Sequence, residues 1–226
     1  MLEILLKTVP FFGLIGLGYG AARSGFFPEQ ASAHLTKFVF YFALSAMLFR
    51  FSANLSIDEI FEPRLAAAYL WGTTVTWALG MMVAFLRGLD VSTASIEAQC
   101  AAIGNTGFLG VPMLALLLGQ EAVGPIILIL SIDLIVFSSV LTLLVTGARE
   151  GHMRIGILWK LLKGLLQNPM IVSISLGFAW SSSGLTVPAP ADRFLSLLGA
   201  AATPGALFAI GASLATKSAE RVSIAS

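Results

Sequence analysis

The sequence predicts an all-α polytopic membrane protein organised as an inverted repeat of five spans, and three observations predict it. Of its 226 residues, 57% are apolar and 11% charged, whereas soluble domains run at about 45–50% and about 25%. Too little polar surface remains to cover a core in water, so the solvent is lipid. The apolar stretches reach about 20 residues, the length that crosses about 30 Å of hydrocarbon as a helix. Runs such as 122–147 are continuous, unlike the alternating strands of about ten residues in a membrane barrel. Finally, the chain aligns with itself at an offset of 159 residues without a gap.

Seven spans are expected, at about residues 4–22, 35–52, 65–86, 96–118, 123–146, 169–183 and 194–215. The first is a retained span and not a secretory signal: it lacks a basic leading region and a small-residue cleavage site, and apolar character resumes at Leu35. Pro10 and Pro125 lie near helix starts, where proline is tolerated. Trp71, Trp77 and Trp180 read as interfacial or packing aromatics, and Lys7, Glu97 and Gln99 as anchors near span ends. Ahead of the sixth span, Ile155, Leu158, Trp159, Leu162, Leu165 and Leu166 recur at helical spacing while Lys160, Lys163 and Gln167 share the other face, the pattern of an amphipathic interfacial helix. Asn168-Pro169 ends it, because proline has no N–H and biases its predecessor away from helix.

Lysine and arginine set the orientation. Nine of them (Arg23, Lys37, Arg87, Arg149, Arg154, Lys160, Lys163, Lys217 and Arg221) fall on one side and four (Lys7, Arg50, Arg64 and Arg193) on the other. The positive-inside rule then puts the N-terminus outside and the 148–168 loop in the cytoplasm of an inner-membrane protein.

At the offset of 159, Pro10 meets Pro169, Ile15 meets Ile174, Leu17 meets Leu176, Gly18 meets Gly177, Ser24-Gly25 meets Ser183-Gly184, and Leu48-Phe49 meets Leu207-Phe208. Proline and glycine mark backbone geometry, which gives these matches weight. A repeat of five spans is odd, so its second copy enters the membrane from the opposite side. Residues 1–147 form the first repeat, 148–168 a loop with the interfacial helix, and 169–226 the start of the second repeat. On this register about seven of ten spans are present, and a truncated copy is expected.

Span four carries Gly104-Asn105-Thr106-Gly107-Phe108-Leu109-Gly110-Val111-Pro112, poor material for a continuous helix. Backbone groups freed by a break in lipid cost several kcal/mol each unless a protein-lined or wet cavity satisfies them. A broken crossover helix therefore predicts a cavity. A new half-helix beginning near Pro112 aims its positive end at it. Asn105, Thr106, Gly107, Gly110 and Pro112 are the candidate binding residues, and a carboxylate is the ligand they suit; glycines alone read as close helix packing, and Asn105-Thr106 with Pro112 in the same turn region favour the break. Asp133 lies about ten residues into span five, roughly 15 Å at helical rise and near the midplane. It is a candidate for proton coupling, or else an aspartate that bonds a neighbouring helix.

The same counts weigh against other classes. A net charge of +1 offers nothing to nucleic acid. One cysteine, Cys100, and two histidines, His34 and His152, supply no metal or haem set, so no cofactor or metal is expected. The spans hold no nucleophile-base pair, which argues against a membrane-embedded enzyme. A non-transporting fragment or dimerising scaffold is the other alternative.

These residues resemble the auxin efflux carrier family of secondary transporters. The resemblance rests on Leu44-Ser45-Ala46-Met47-Leu48-Phe49, with Ser45 where proline is common, on Asn105-Thr106 with Gly110 and Pro112, on Asn168-Pro169, and on Pro204-Gly205-Ala206-Leu207-Phe208-Ala209-Ile210-Gly211. It implies ten spans in two inverted halves. Spans one, two, six and seven would form a scaffold that pairs as a homodimer, and the rest a mobile, elevator-like domain. It also implies an organic-anion site framed by helices four and nine, whose first half carries over onto Asn105, Thr106 and Pro112. The second crossover proline is expected near 271, beyond residue 226.

Overall fold

The computed structural model describes residues 2–55, 62–150 and 155–224, and no strand occurs among them. Arg154 and His152 lie outside the described residues. Helix α1 spans Leu2–Arg23. Helix α2 (Glu29–Phe38) widens into a π turn at Val39–Ala43 and continues as α3 (Leu44–Ala53). Then follow α4 (Pro63–Leu86), α5 (Val91–Ala102), a π turn at Thr106–Gly110, and α6 (Val111–Leu118). Helix α7 (Val123–Ile132) passes through a third π turn, Asp133–Phe137, into α8 (Ser138–Glu150). The chain closes with α9 (Ile155–Gln167), α10 (Pro169–Ser182), α11 (Ala189–Ala200) and α12 (Ala202–Ile224).

Among the described residues, four continuous stretches are long and apolar enough to cross a membrane: Glu29–Ala53, Pro63–Leu86, Val123–Ala148 and Ala189–Thr216. Leu161–Gln167 and Pro169–Ser182 make a fifth if their 73° bend belongs to one span. The bend falls where expected, at Asn168-Pro169, and Asn168 Oδ1 accepts from Met170 N–H at 3.0 Å to cap the new helix. The first expected span is covered by α1, 22 residues long. Pro10 lies in its interior and not near its start, which corrects the sequence reading. In α9, Trp159 and Leu166 are exposed.

Two seams hold the bundle, and both are made by glycine against main chain. In the seam of α1 with α12, a Cβ added to Gly18 would strike the carbonyl of Phe208, and one added to Gly211 would strike that of Ile15. In the seam of α3 with α10, a Cβ on Gly177 would lie 2.7 Å from the carbonyl oxygen of Phe49. The offset of 159 carries Gly18 to Gly177 and Phe49 to Phe208, so one contact maps onto the other. The helix ends behave alike. Ser24 Oγ donates to the carbonyl of Ala21 at 3.0 Å and Ser183 Oγ to that of Trp180 at 2.6 Å. Gly25 and Gly184 follow with φ of 78° and 69°, the left-handed closure that glycine permits.

The second and seventh spans are also deformed at matching places. The π turn of the second lies at Val39–Ala43 and the interruption of the seventh at Ala201, between α11 and α12. Pro204, which has no N–H for the carbonyl four residues earlier, accounts for the interruption. The offset matches it to Ser45, whose Oγ donates to the carbonyl of Phe40 at 3.1 Å across the π turn. Around these elements Leu44, Leu48, Val39, Val111, Val123, Ile127 and Leu207 are fully buried.

Candidate functional site

The fourth span is broken, and the break is at Ile103-Gly104-Asn105. Ile103 is extended at φ −107°, ψ 121°, and Asn105 sits at φ −82°, ψ 63°, close to an inverse γ-turn. The second half begins at Thr106 and not near Pro112. Asn105 sets that start by capping it. Its Oδ1 accepts from Phe108 N–H at 3.1 Å, and its carbonyl accepts from Leu109 and Gly110 N–H at 3.1 and 3.0 Å. Pro112 then falls in the first turn of α6, behind the π turn. Its missing N–H is tolerated there, so it frames the half-helix without starting it. The N–H groups of Thr106 and Gly107 have no hydrogen-bond acceptor among the described residues.

A cavity of about 270 Å³ lies beside the break, lined by Thr36 from α2, Asn105 and Phe108 from the crossover, and Ala206, Ala209 and Ser213 from α12. Phe108 stacks on Phe40, with ring centroids 6.0 Å apart and planes 3° from parallel, which fixes one wall. No lysine or arginine is among the residues that line this cavity. Any negative ligand there would be held by dipoles and N–H groups, as at helix N-termini generally.

Asp133 does not line the cavity. It is buried, 4% exposed, and hydroxyls hold both its oxygens. Thr106 Oγ1 donates to Oδ2 at 2.8 Å, and Tyr69 OH donates to Oδ1 at 2.7 Å. Three helices meet at this carboxylate: α4 through Tyr69, the crossover through Thr106, and the fifth span through Asp133. The bond from Thr106 to Asp133 joins the first residues of two π turns. In each, the turn closes by donation from five residues on, Val111 N–H to the Thr106 carbonyl and Ser138 N–H to that of Asp133.

Of the expected binding residues, the structure brings Asn105 to the cavity and turns Thr106 towards Asp133. Gly107 packs instead against the fifth and sixth spans. A Cβ there would lie 2.7 Å from the Met170 methyl and 3.7 Å from Leu130 Cδ1. Gly110 would meet only ordinary contacts, and Gly104 nothing within 4 Å. Glu97 and Gln99, read as span-end anchors, have protein partners: Arg87 Nη1 donates to Glu97 Oε2 at 2.7 Å and Trp77 Nε1 to Gln99 Oε1 at 3.3 Å. Sequence reasoning missed Tyr69, Thr36 and Ser213. Tyr69 carried a usable signal, a hydroxyl placed inside a span among Ala66–Leu70.

A family described as Membrane transport protein matches residues 3–225. A protein of Rhizobium meliloti (strain 1021) named "Putative malonate transporter" is 30% identical over 224 residues, which cover 98% of this chain and 70% of that protein.

Proposed function

Because the chain belongs to the membrane transport protein family, we propose that it moves a small organic anion, a carboxylate, as a secondary transporter in a cell membrane. The observation that carries this reading is the break at Ile103-Gly104-Asn105, which sets the free N–H groups of Thr106 and Gly107 at the start of a half-helix beside a cavity. Those donors and the Asn105 side chain take the carboxylate; Gly110 and Pro112 shape the half-helix behind them. The glycine seams, alike under the offset of 159, support an inverted-repeat scaffold against which the crossover and the fifth span move in an elevator-like step. Asp133, tied to the crossover through Thr106, is the proton-coupling site. A carboxyl in lipid exchanges its proton far more cheaply than it carries a bare charge.

Malonate is the first substrate to test, on the name of the similar Rhizobium meliloti protein. In proteoliposomes, radiolabelled malonate uptake is expected to respond to a pH gradient. Asn105→Ala should raise the KM at least tenfold, the scale of about 1.4 kcal/mol. An unchanged KM in a folded variant rejects the crossover as the site.

A further inference from the structure

A second cavity, of about 200 Å³, lies between α8, α9 and α10, and four of its nine lining residues are polar, Ser138, Ser139, Thr142 and Asn168; the other five, Leu134 and Gly164 among them, are apolar. We infer that it is a water-filled antechamber through which Asp133 exchanges protons with the membrane face that carries α9. The inference rests on Asp133 as the coupling site.

The path is built from one helix face. The π turn at Asp133–Phe137 adds a residue to the turn, so Ser138, five residues on, comes back under Asp133. Ser138 Oγ donates to the Asp133 carbonyl at 3.1 Å, and Thr142 Oγ1 to the Ser138 carbonyl at 2.7 Å. Two hydroxyls thus lead from the main-chain carbonyl of Asp133 towards the end of α8 that leads to α9, and Ser138, the first of them, lines the cavity next to the π turn. A cavity lined by apolar side chains alone stays dry, whereas water needs two to four polar partners and about 30 Å³ of liquid volume per molecule. This cavity meets both conditions. Ser139 Oγ and the Asn168 amide nitrogen donate to no acceptor among the described residues, which leaves them for water.

The charged neighbourhood leaves Asp133 to set the response. Tyr69 on α4 is the titratable side chain that reaches it among the described residues. Arg64 on α4, Glu97 on α5 and Arg50 on α3 lie at helix ends or in other pairs. Helices α6, α7 and α10 carry no charged residue, and Lys163 on α9 is exposed.

The test uses the full chain in proteoliposomes with Cys100→Ser, since that cysteine is exposed. Ser139→Cys is expected to react with a membrane-impermeant maleimide from the face that labels Lys163→Cys, and not from the other. Gly164→Leu, which fills the cavity from a position with nothing within 4 Å, should slow pH-driven uptake of a three-carbon dicarboxylate at least fivefold with its KM unchanged. Absence of labelling at Ser139→Cys overturns the antechamber, whether or not Gly164→Leu folds. Labelling together with an Asp133→Asn variant that keeps the parent's pH response shows the coupling reading to be wrong, and the antechamber falls with it. No labelling together with an Asp133→Asn variant that loses the response removes the antechamber alone.

Discussion

Glycine does opposite work in two regions of this molecule. At the seam of α1 with α12, Gly18 and Gly211 let two main chains touch, and a single methyl group at either would collide with a carbonyl. At the break in the fourth span, Gly104 has nothing within 4 Å and no left-handed φ, so a methyl group there meets open space. The first region is dry and sterically determined. The second is polar and determined by hydrogen bonds. The proposed elevator-like step calls for both, a part that does not yield and a part that has somewhere to go.

The largest expected effect separates the two directly. Gly211→Ala should cost about 3 kcal/mol, the upper end of the overpacking range, because the obstacle is main chain and cannot swing aside. Gly104→Ala should leave stability unchanged. Thermal unfolding in detergent measures both, and equal losses would abolish the distinction. Gly177→Ala, related to Gly18 by the offset of 159, should behave like Gly211→Ala; if it is neutral, the two seams are not equivalent.

A comparable effect is expected at Asp133. Asp133→Ala strips the acceptor from two hydroxyls, Tyr69 OH and Thr106 Oγ1, and each orphaned group costs about 1–3 kcal/mol where it stays dry. Asp133→Asn should be milder, since its amide accepts from one hydroxyl and donates to the other. The Asn variant therefore isolates the charge: folded protein with loss of the pH-driven component of uptake is the expected outcome. Tyr69→Phe comes next. It removes one donor while Thr106 keeps the other, and should shift the pH dependence of uptake without changing the anion KM. A changed KM would place Tyr69 at the substrate instead.

The same comparison explains what the sequence made legible. Glycine and proline within a span announced the break, and Asn168-Pro169 announced the bend, because these residues act locally on their own backbone. Where the half-helix starts was not legible from Pro112. The missing N–H marks a position a helix can tolerate early on, whereas the start is chosen by the Asn105 cap through its bond to Phe108 N–H, a side-chain contact that no spacing rule announces. Tyr69 and Asp133 are 64 residues apart, and no spacing rule joins them. Asp133 was conspicuous by its charge, but its partners belong to tertiary packing. The π turns were likewise invisible, since an extra residue in one turn leaves no mark on apolar periodicity over five residues.

The smallest expected effect lies at the N-terminal end of the broken span. Asp90 caps α5, with Oδ1 accepting from Ser92 and Thr93 N–H at 2.9 and 3.2 Å and Oδ2 from Thr93 Oγ1 at 2.6 Å. Bonds to the charged form, the Thr93 hydroxyl first, hold its carboxyl below the ordinary aspartate range. A depressed pKa in the folded state means the cap stabilises fully above the unfolded value of about 3.9 and fades as the pH falls through the lower folded value. Unfolding of the parent and of Asp90→Asn, followed from pH 6 to pH 3, should therefore converge at the acid end. The asparagine side chain still accepts as an N-cap at every pH. The cap is exposed, so the gap should be small even at pH 6. A gap that instead widens with acid would mean that the charge on Asp90 is not what holds α5, and that the N-terminal end of the fourth span is fixed otherwise.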